Sequence, residues 1–189
     1  MANFTVVYDA NVLYPAPLRS LLIYLGKSGL FRARWTYQIH DEWIRNLLIN
    51  RPDLMPEQLY AMRDLMIQAI PDSIITGHEV IIDGVQLPDP DDRHVLAAAL
   101  RANAELIITA NLKDFPDSQL KPFNIAAQHP DDFILDLLDL NQKSVLDCLR
   151  EDRNHYQKPV LTPEEYLKYL HRQKLEKTVG YLMPFVNQI

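Results

Sequence analysis

Asp9, Glu42, Asp91, Asp92, Asn111 and Asp114 are the side chains whose types and placement could do chemistry. Asp9 ends the first apolar run, Phe4-Thr5-Val6-Val7-Tyr8, and is followed at once by Ala10-Asn11-Val12-Leu13. A run of that length and β-branched content reads as a buried strand. A carboxylate just past it cannot help pack the core and sits where open α/β sheets bind ligands, outside the carboxyl ends of the strands. The chain does this again: Leu106-Ile107-Ile108-Thr109 is a second buried-strand run, with Asn111 and Asp114 after it. Clustered carboxylates repel and are costly without a cation. Hard divalent cations such as Mg²⁺ prefer oxygen ligands. A cation held so can bind a phosphate oxygen and lower the pKa of an attacking water. The chemistry that fits is metal-assisted phosphodiester hydrolysis.

Each group also has a bland reading. Asp9 could end a strand, and Asn11 could cap the next segment or orient Asp9. Glu42 follows His40-Asp41, and an acid early on a helix usually complements the dipole. Asp41 competes with it, because one residue turns a helix by about 100° and only one of the two can face a site. In Leu87-Pro88-Asp89-Pro90-Asp91-Asp92-Arg93-His94 the prolines prevent helix before Asp91, so one Asp is a natural N-cap. Three acids in four positions exceed what one cap requires. Asn111 could be a turn residue, and Asp114-Phe115-Pro116 a loop acid with a packing anchor. His40, His78, His94, His129, His155 and His171 show no metal spacing; His94, beside Asp92, could approach the site, but a surface histidine is the plainer reading. Cys148, among Val145, Leu146 and Leu149, reads as core.

The elements that must position these groups alternate between strand and helix. A helix is expected over Pro17–Lys27, a strand over Phe31–Trp35, helices over Tyr37–Ile49 and Pro56–Ile70, and a third strand at Ser73–Thr76. A helix over Asp91–Asn103, a strand over Glu105–Thr109 and a short strand near Asn124–Ala127 follow. Such alternation implies a parallel sheet covered on both faces. From about His129 the pattern is helical only, with Phe133, Leu137, Leu138 and Leu140 leading into Val145, Leu146 and Leu149. Asp131-Asp132 reads as the cap of that first helix. Thr162-Pro163-Glu164-Glu165 is a capping-box helix start. The division is therefore an α/β part over 1–128 and a helical extension over 129–189. The extension is too small to stand alone and is expected to pack on the main part or hold a partner.

Composition bounds the rest. With 189 residues, 48% of them hydrophobic, the chain can bury a sizeable core. One cysteine excludes a disulfide framework and suits a reducing compartment. No apolar stretch reaches the roughly 18 residues of a membrane span. The start, Met-Ala-Asn-Phe-Thr, lacks a signal peptide's basic region, so a cytoplasmic protein is expected. A formal charge of −6 argues mildly against extensive nonspecific nucleic-acid binding but leaves room for a local basic rim. Arg19, Arg32, Arg34, Arg45, Arg93 and Lys113 all lie near the acids in sequence, and arginine binds phosphate in bidentate fashion. Tyr14 could stack a base, though core is the plainer reading.

Val7-Tyr8-Asp9-Ala10-Asn11-Val12-Leu13, the Glu42 helix, Asp92-x-x-Val95-Leu96-Ala97-Ala98-Ala99 and Thr109-Ala110-Asn111-Leu112-Lys113-Asp114-Phe115 resemble, in order, the four acidic motifs of PIN domains. The series is similar to VapC-type toxins of bacterial toxin–antitoxin pairs, over about residues 4–128, and the tail looks like the extra C-terminal segment of one subgroup. The resemblance implies a three-layer α/β/α fold with a central, mainly parallel sheet, and an endoribonuclease dependent on Mg²⁺ or Mn²⁺. By motif, Asp9, Glu42 and Asp92 would be acidic ligands and catalytic groups, with Asp91 the alternative to Asp92. Asn111 stands where many members have Asp, so either it or Asp114 would complete the set. The basic residues Arg19, Arg34, Arg45, Arg93 and Lys113 would touch RNA. A small antitoxin and a homodimer are implied as well.

Two other functions compete. An aspartyl phosphotransferase would also use an acid after the first strand, but wants a second acid two residues on, where this chain has Asn11. A nucleic-acid-binding module with a degenerate site is kept open by Asn111.

Overall fold

The computed structural model describes residues 4–189; the reading of Met1–Asn3 as free of a signal region lies outside them. Strand β1 (Thr5–Tyr8) is buried along its whole length, which an apolar β-branched run permits only when both faces of a sheet are covered. After it come α1 (Ala10–Leu13), α2 (Ala16–Lys27) and strand β2 (Arg32–Arg34). Then follow α3 (Tyr37–Asn50), α4 (Pro56–Ala69), α5 (Arg93–Arg101), β3 (Leu106–Ile108), α6 (Asp117–Leu120) and β4 (Ala126–Gln128). The strands form one parallel sheet in the order β2-β1-β3-β4, with Val6 beside Ala33 and Val7 beside Ile107. Every crossover between them carries helix, as parallel strands require. The expected α/β/α architecture is thus the observed one. β1 and β3 are the central pair, so both central strands end at the same edge of the sheet. The core includes Tyr8 stacked on Trp35 (ring centroids 5.9 Å apart), with Phe31 edge-on to Phe133 (5.1 Å).

Several local expectations give way to tertiary structure. Ser73–Thr76 is not a strand but a single parallel bridge, Trp35 to Ile74. Asp72 (φ 64°) and Gly77 (φ 76°) turn the chain on either side, leaving room for only two backbone bonds to Trp35. The Asp91–Asn103 helix begins as a 3-10 turn over Pro90–Asp92, and α5 proper starts at Arg93. Asp89 caps that turn by accepting from the Asp91 amide at 2.9 Å.

The C-terminal helices are α7 (Pro130–His155), α8 (Pro163–Arg172) and α9 (Glu176–Leu182). α7 is broken at Asn141 (φ −158°, ψ 83°), whose side chain accepts from the Ser144 amide at 3.1 Å and so starts the second half. Leu140, placed on the apolar face by its spacing, lies at this break and is 59% exposed. α8 opens on the Thr162–Glu165 capping box, both bonds of which are present. Asp131 is not the cap of α7: the His129 ring accepts from its amide instead. The buried Asp131 carboxylate accepts from the amides of Lys177 and Thr178, tying the start of α9 to the start of α7. α7 packs along α2, so the extension covers the main part as its apolar stripes require. Among the described residues, no helix is long and apolar enough to cross a membrane.

Candidate metal centre

The end of β1 places Asp9 beside the end of β3. Its amide donates to the Ile108 carbonyl at 3.0 Å, continuing the ladder by one residue, and it stands at the N-cap of α1. Its carboxylate is 2% exposed. One oxygen accepts from the Thr109 hydroxyl (2.8 Å) and from the Asn11 amide nitrogen. Asn11 also donates to Thr109 Oγ1 (2.9 Å), while its own carbonyl accepts from the Ala110 amide (3.0 Å). Asn11 therefore orients Asp9 and locks the loop after β3 against the loop after β1. Burial, and then the nearby Glu42, raise the Asp9 pKa to about 6; the Thr109 bond opposes them.

Asp92 faces the same space from the start of α5, and its neighbour Asp91 is exposed. The Asp92 pKa is raised to about 7, by burial first and then by the charges of Asp9, Asp89, Asp114 and Glu42. Carboxylate oxygens of Asp89, Asp92 and Asp114 all lie within 4.8 Å of one another. Asp9 and Glu42 stand outside that triplet, yet both charges act on Asp92. Five acids thus share one electrostatic neighbourhood, with Asp89, Asp92 and Asp114 at its centre.

Glu42 projects from α3 while Asp41 is exposed. Thr36 fixes the start of that helix by accepting from the Ile39 amide at 3.0 Å. Glu42 is held by His94, Nε2 to Oε2 3.0 Å; a carboxylate only accepts, so the imidazole carries its proton on Nε2. His94 is 4% exposed, not a surface histidine, because the first turn of α5 buries it beside Val95. Its Nδ1 has no hydrogen-bond partner among the described residues. Asn111 lies beside Asp114, its side-chain amide donating to the Asp114 carboxylate, and its backbone amide donates to Thr109 Oγ1 at 3.0 Å.

The structure thus brings together Asp9, Glu42, Asp92, Asn111 and Asp114, and leaves Asp91 outside. It adds Asp89, read from sequence only as one of three acids of which one would be a cap. It also adds His94 and Thr109. A strand-end threonine two residues before Asn111 was the only sequence signal for the latter. The basic residues are scattered. Arg45 and Lys113 are exposed; Arg93 donates to Gln86 Oε1 at 2.8 Å; Arg34 donates to the Asp72 carbonyl. Arg19 departs from the expected RNA-facing rim: it is 7% exposed, donates to the carbonyls of Leu13 and Tyr14, and packs 4.5 Å over the Trp43 ring. Burial lowers its pKa to about 10. Tyr14 is part-exposed, its hydroxyl accepting from Asn50 at 3.1 Å.

Residues 130–184 match the family model described as the VapC50 C-terminal domain. Over 82 residues the chain is 50% identical to a protein of Mycobacterium tuberculosis (strain ATCC 25618 / H37Rv) named "Putative ribonuclease VapC50". That stretch is 43% of this chain and 48% of the relative, so the match spans about half the length of the curated relative. No solved structure matches.

Proposed function

We propose that this chain is a VapC-type PIN-domain protein with a C-terminal helical extension, a metal-dependent endoribonuclease and the toxin of a toxin–antitoxin pair. One observation carries the reading. Five acids from four separate segments converge at the carboxyl edge of the central strands, and burial, together with the charges of the other four, raises the Asp92 pKa to about 7. An arrangement of mutually repelling, part-buried carboxylates is expensive on its own and is relieved by a cation. All the donors are oxygens, which suits Mg²⁺ or Mn²⁺ rather than a softer metal. Asp9, Asp92 and Asp114 would hold it, with Glu42 and Asp89 beside them as direct or water-mediated ligands. A divalent cation bound there would polarise a phosphodiester and supply hydroxide near neutral pH.

The rest belongs to the chain's own side chains. Thr109 and Asn11 hold one oxygen of Asp9 and fix its side chain at the end of β1. His94 fixes Glu42 through Nε2–H, and Asn111 fixes Asp114. Such outer contacts keep ligands in register, and their loss typically weakens metal binding 10–100-fold. The aspartyl-phosphotransferase alternative weakens: the position where that chemistry needs an acid is filled by Asn11, engaged in orienting Asp9. The nuclease reading brings with it an RNA substrate, an antitoxin that blocks the site, a homodimer and a cytoplasmic location.

The test pairs calorimetric titration of the protein with Mn²⁺ and Mg²⁺ against cleavage of a structured RNA. Micromolar Mn²⁺ binding, with cleavage lost in EDTA and restored by the metal, is expected. RNA binding without any metal affinity would instead favour a degenerate module.

A further inference from the structure

A cavity of about 490 Å³ lies between α2, α4, the end of α7 and α8. Its volume is in the ordinary range of small-molecule sites, roughly 300–1,000 Å³. The walls are apolar and aromatic: Ile23 and Tyr24 of α2, Met66 of α4, and Tyr156 and Tyr169 from the extension. Both parts of the chain build it, so it exists only when the extension is docked.

One group in this lining is out of place. Arg19 reaches the cavity from within the fold. It is nine-tenths buried, its partners are the Leu13 and Tyr14 carbonyls and the Trp43 face, and no acidic side chain pairs with it among the described residues. Both carbonyl bonds use Nη1, so Nε and Nη2 are open to another acceptor. A buried cation without a counter-charge is costly, and a guanidinium fork matches a carboxylate or phosphate in bidentate fashion. Lys27, with its ammonium 4.8 Å over the Tyr24 ring, adds a second positive charge at the rim. Asp152, bonded to Ser20 of the cavity lining, is already satisfied by the Ser20 and Tyr166 hydroxyls.

We propose that this cavity is a binding site for a small amphiphilic anion, an apolar chain or ring system carrying one carboxylate or phosphate, with Arg19 receiving the anionic group. The apolar body would lie against Ile23, Met66 and the tyrosines. The proposal does not rest on the nuclease reading. Arg19 also touches the carbonyls that end α1, the helix Asp9 caps, and Trp43, the residue after Glu42, so an anion there would bear on the backbone that positions both acids.

The test uses the full chain and the fluorescent anion 8-anilinonaphthalene-1-sulfonate, with decanoate, decyl phosphate, decan-1-ol and decyltrimethylammonium as competitors. Expected are one probe per chain and displacement by decanoate or decyl phosphate at concentrations at least tenfold below those of the alcohol or the cation. Whichever of the two anions wins identifies the head group. Arg19→Gln should abolish that preference, and Ile23→Trp, which fills the cavity from a part-exposed position, should abolish probe binding with the circular dichroism unchanged. If Arg19→Gln does not fold, the competitor series and Ile23→Trp still decide. Equal displacement by all four competitors, or probe binding unaffected by Ile23→Trp, would overturn the proposal. So would a cavity that takes none of these molecules and only a protein segment.

Discussion

The molecule buries acids in two regions, and it treats them in opposite ways. In the extension, Asp131 is met by two backbone amides and Asp152 by two hydroxyls, so each carboxylate is surrounded by donors. At the sheet edge, Asp9 and Asp92 face other acids, and repulsion adds to desolvation. Burying a charge is tolerable when hydrogen bonds replace its water. The extension follows that rule; at the sheet edge Thr109 and Asn11 supply donors to Asp9, but other acids act on it and on Asp92 as well. A structural acid and a candidate ligand are therefore told apart not by depth, since all four are buried or half-buried, but by what surrounds them.

Neutralising one acid in each region should break the two differently. Asp9→Asn keeps the shape and can still accept from Thr109, but removes a charge that the native structure strains to hold. RNA cleavage should fall at least a thousandfold, about 4 kcal/mol of lost transition-state stabilisation. The melting temperature without metal should stay level or rise. Activity near that of the native chain would sink the mechanism, and a collapse in melting temperature would show Asp9 to be structural.

The pH dependence sharpens the contrast. A carboxylate whose folded pKa is raised leaves stability at its fullest below the unfolded pKa, and the chain loses it as pH rises towards the folded value. For Asp9 the window runs from the ordinary 3.8 to about 6, and a shift of that size is worth on the order of 3 kcal/mol. Asp92 extends the window to about pH 7 with a smaller share, since it is half exposed to solvent screening. Without metal the chain should therefore lose stability between pH 4 and 7, and saturating Mn²⁺ should restore most of it at the upper end. Asp152 shifts in the same direction through burial, but its part should ignore Mn²⁺. Urea melts across that range, with and without the metal, separate the two; identical curves would dissolve the distinction.

Asp131→Ala tests the other region. It strands the Lys177 and Thr178 amides, and an orphaned buried donor costs about 1–3 kcal/mol. The loss should be local: hydrogen exchange should quicken in α9 and at the start of α7, while Mn²⁺ binding at the sheet edge stays within twofold.

The same contrast explains what could be read in advance. β1, β3 and the Thr162 capping box are legible because their determinants are neighbours in sequence. Asp9 is legible because a charge after a buried run is anomalous wherever it sits. Asp131 is misread as a cap because its true partners lie 46 and 47 residues away. His94 reads more plainly as a surface residue than as part of the site because its burial depends on how the first turn of α5 rotates against Glu42, 52 residues off. Asp89 is hidden by doing two things: one carboxylate both caps a 3-10 turn and joins the acidic triplet. Ser73–Thr76 fails as a strand because turns at Asp72 and Gly77, rather than residue preference, set its length.

Asn111 stands between the two regimes, a neutral donor set among acids. It donates to Asp114, as the hydroxyls do to Asp152, and so shields one member of the cluster from the rest. Asn111→Asp would remove that donor and add a charge. If the sheet edge is a cation site, the substitution should strengthen Mn²⁺ binding several-fold. It should also lower metal-free stability, by roughly 0.5–1 kcal/mol for a part-exposed like-charge contact. Calorimetry and urea melts on one preparation read both. The two changes must come together, because both follow from the same added repulsion. Unchanged Mn²⁺ binding with unchanged stability would instead place Asn111 outside the reach of both the cation and the other acids.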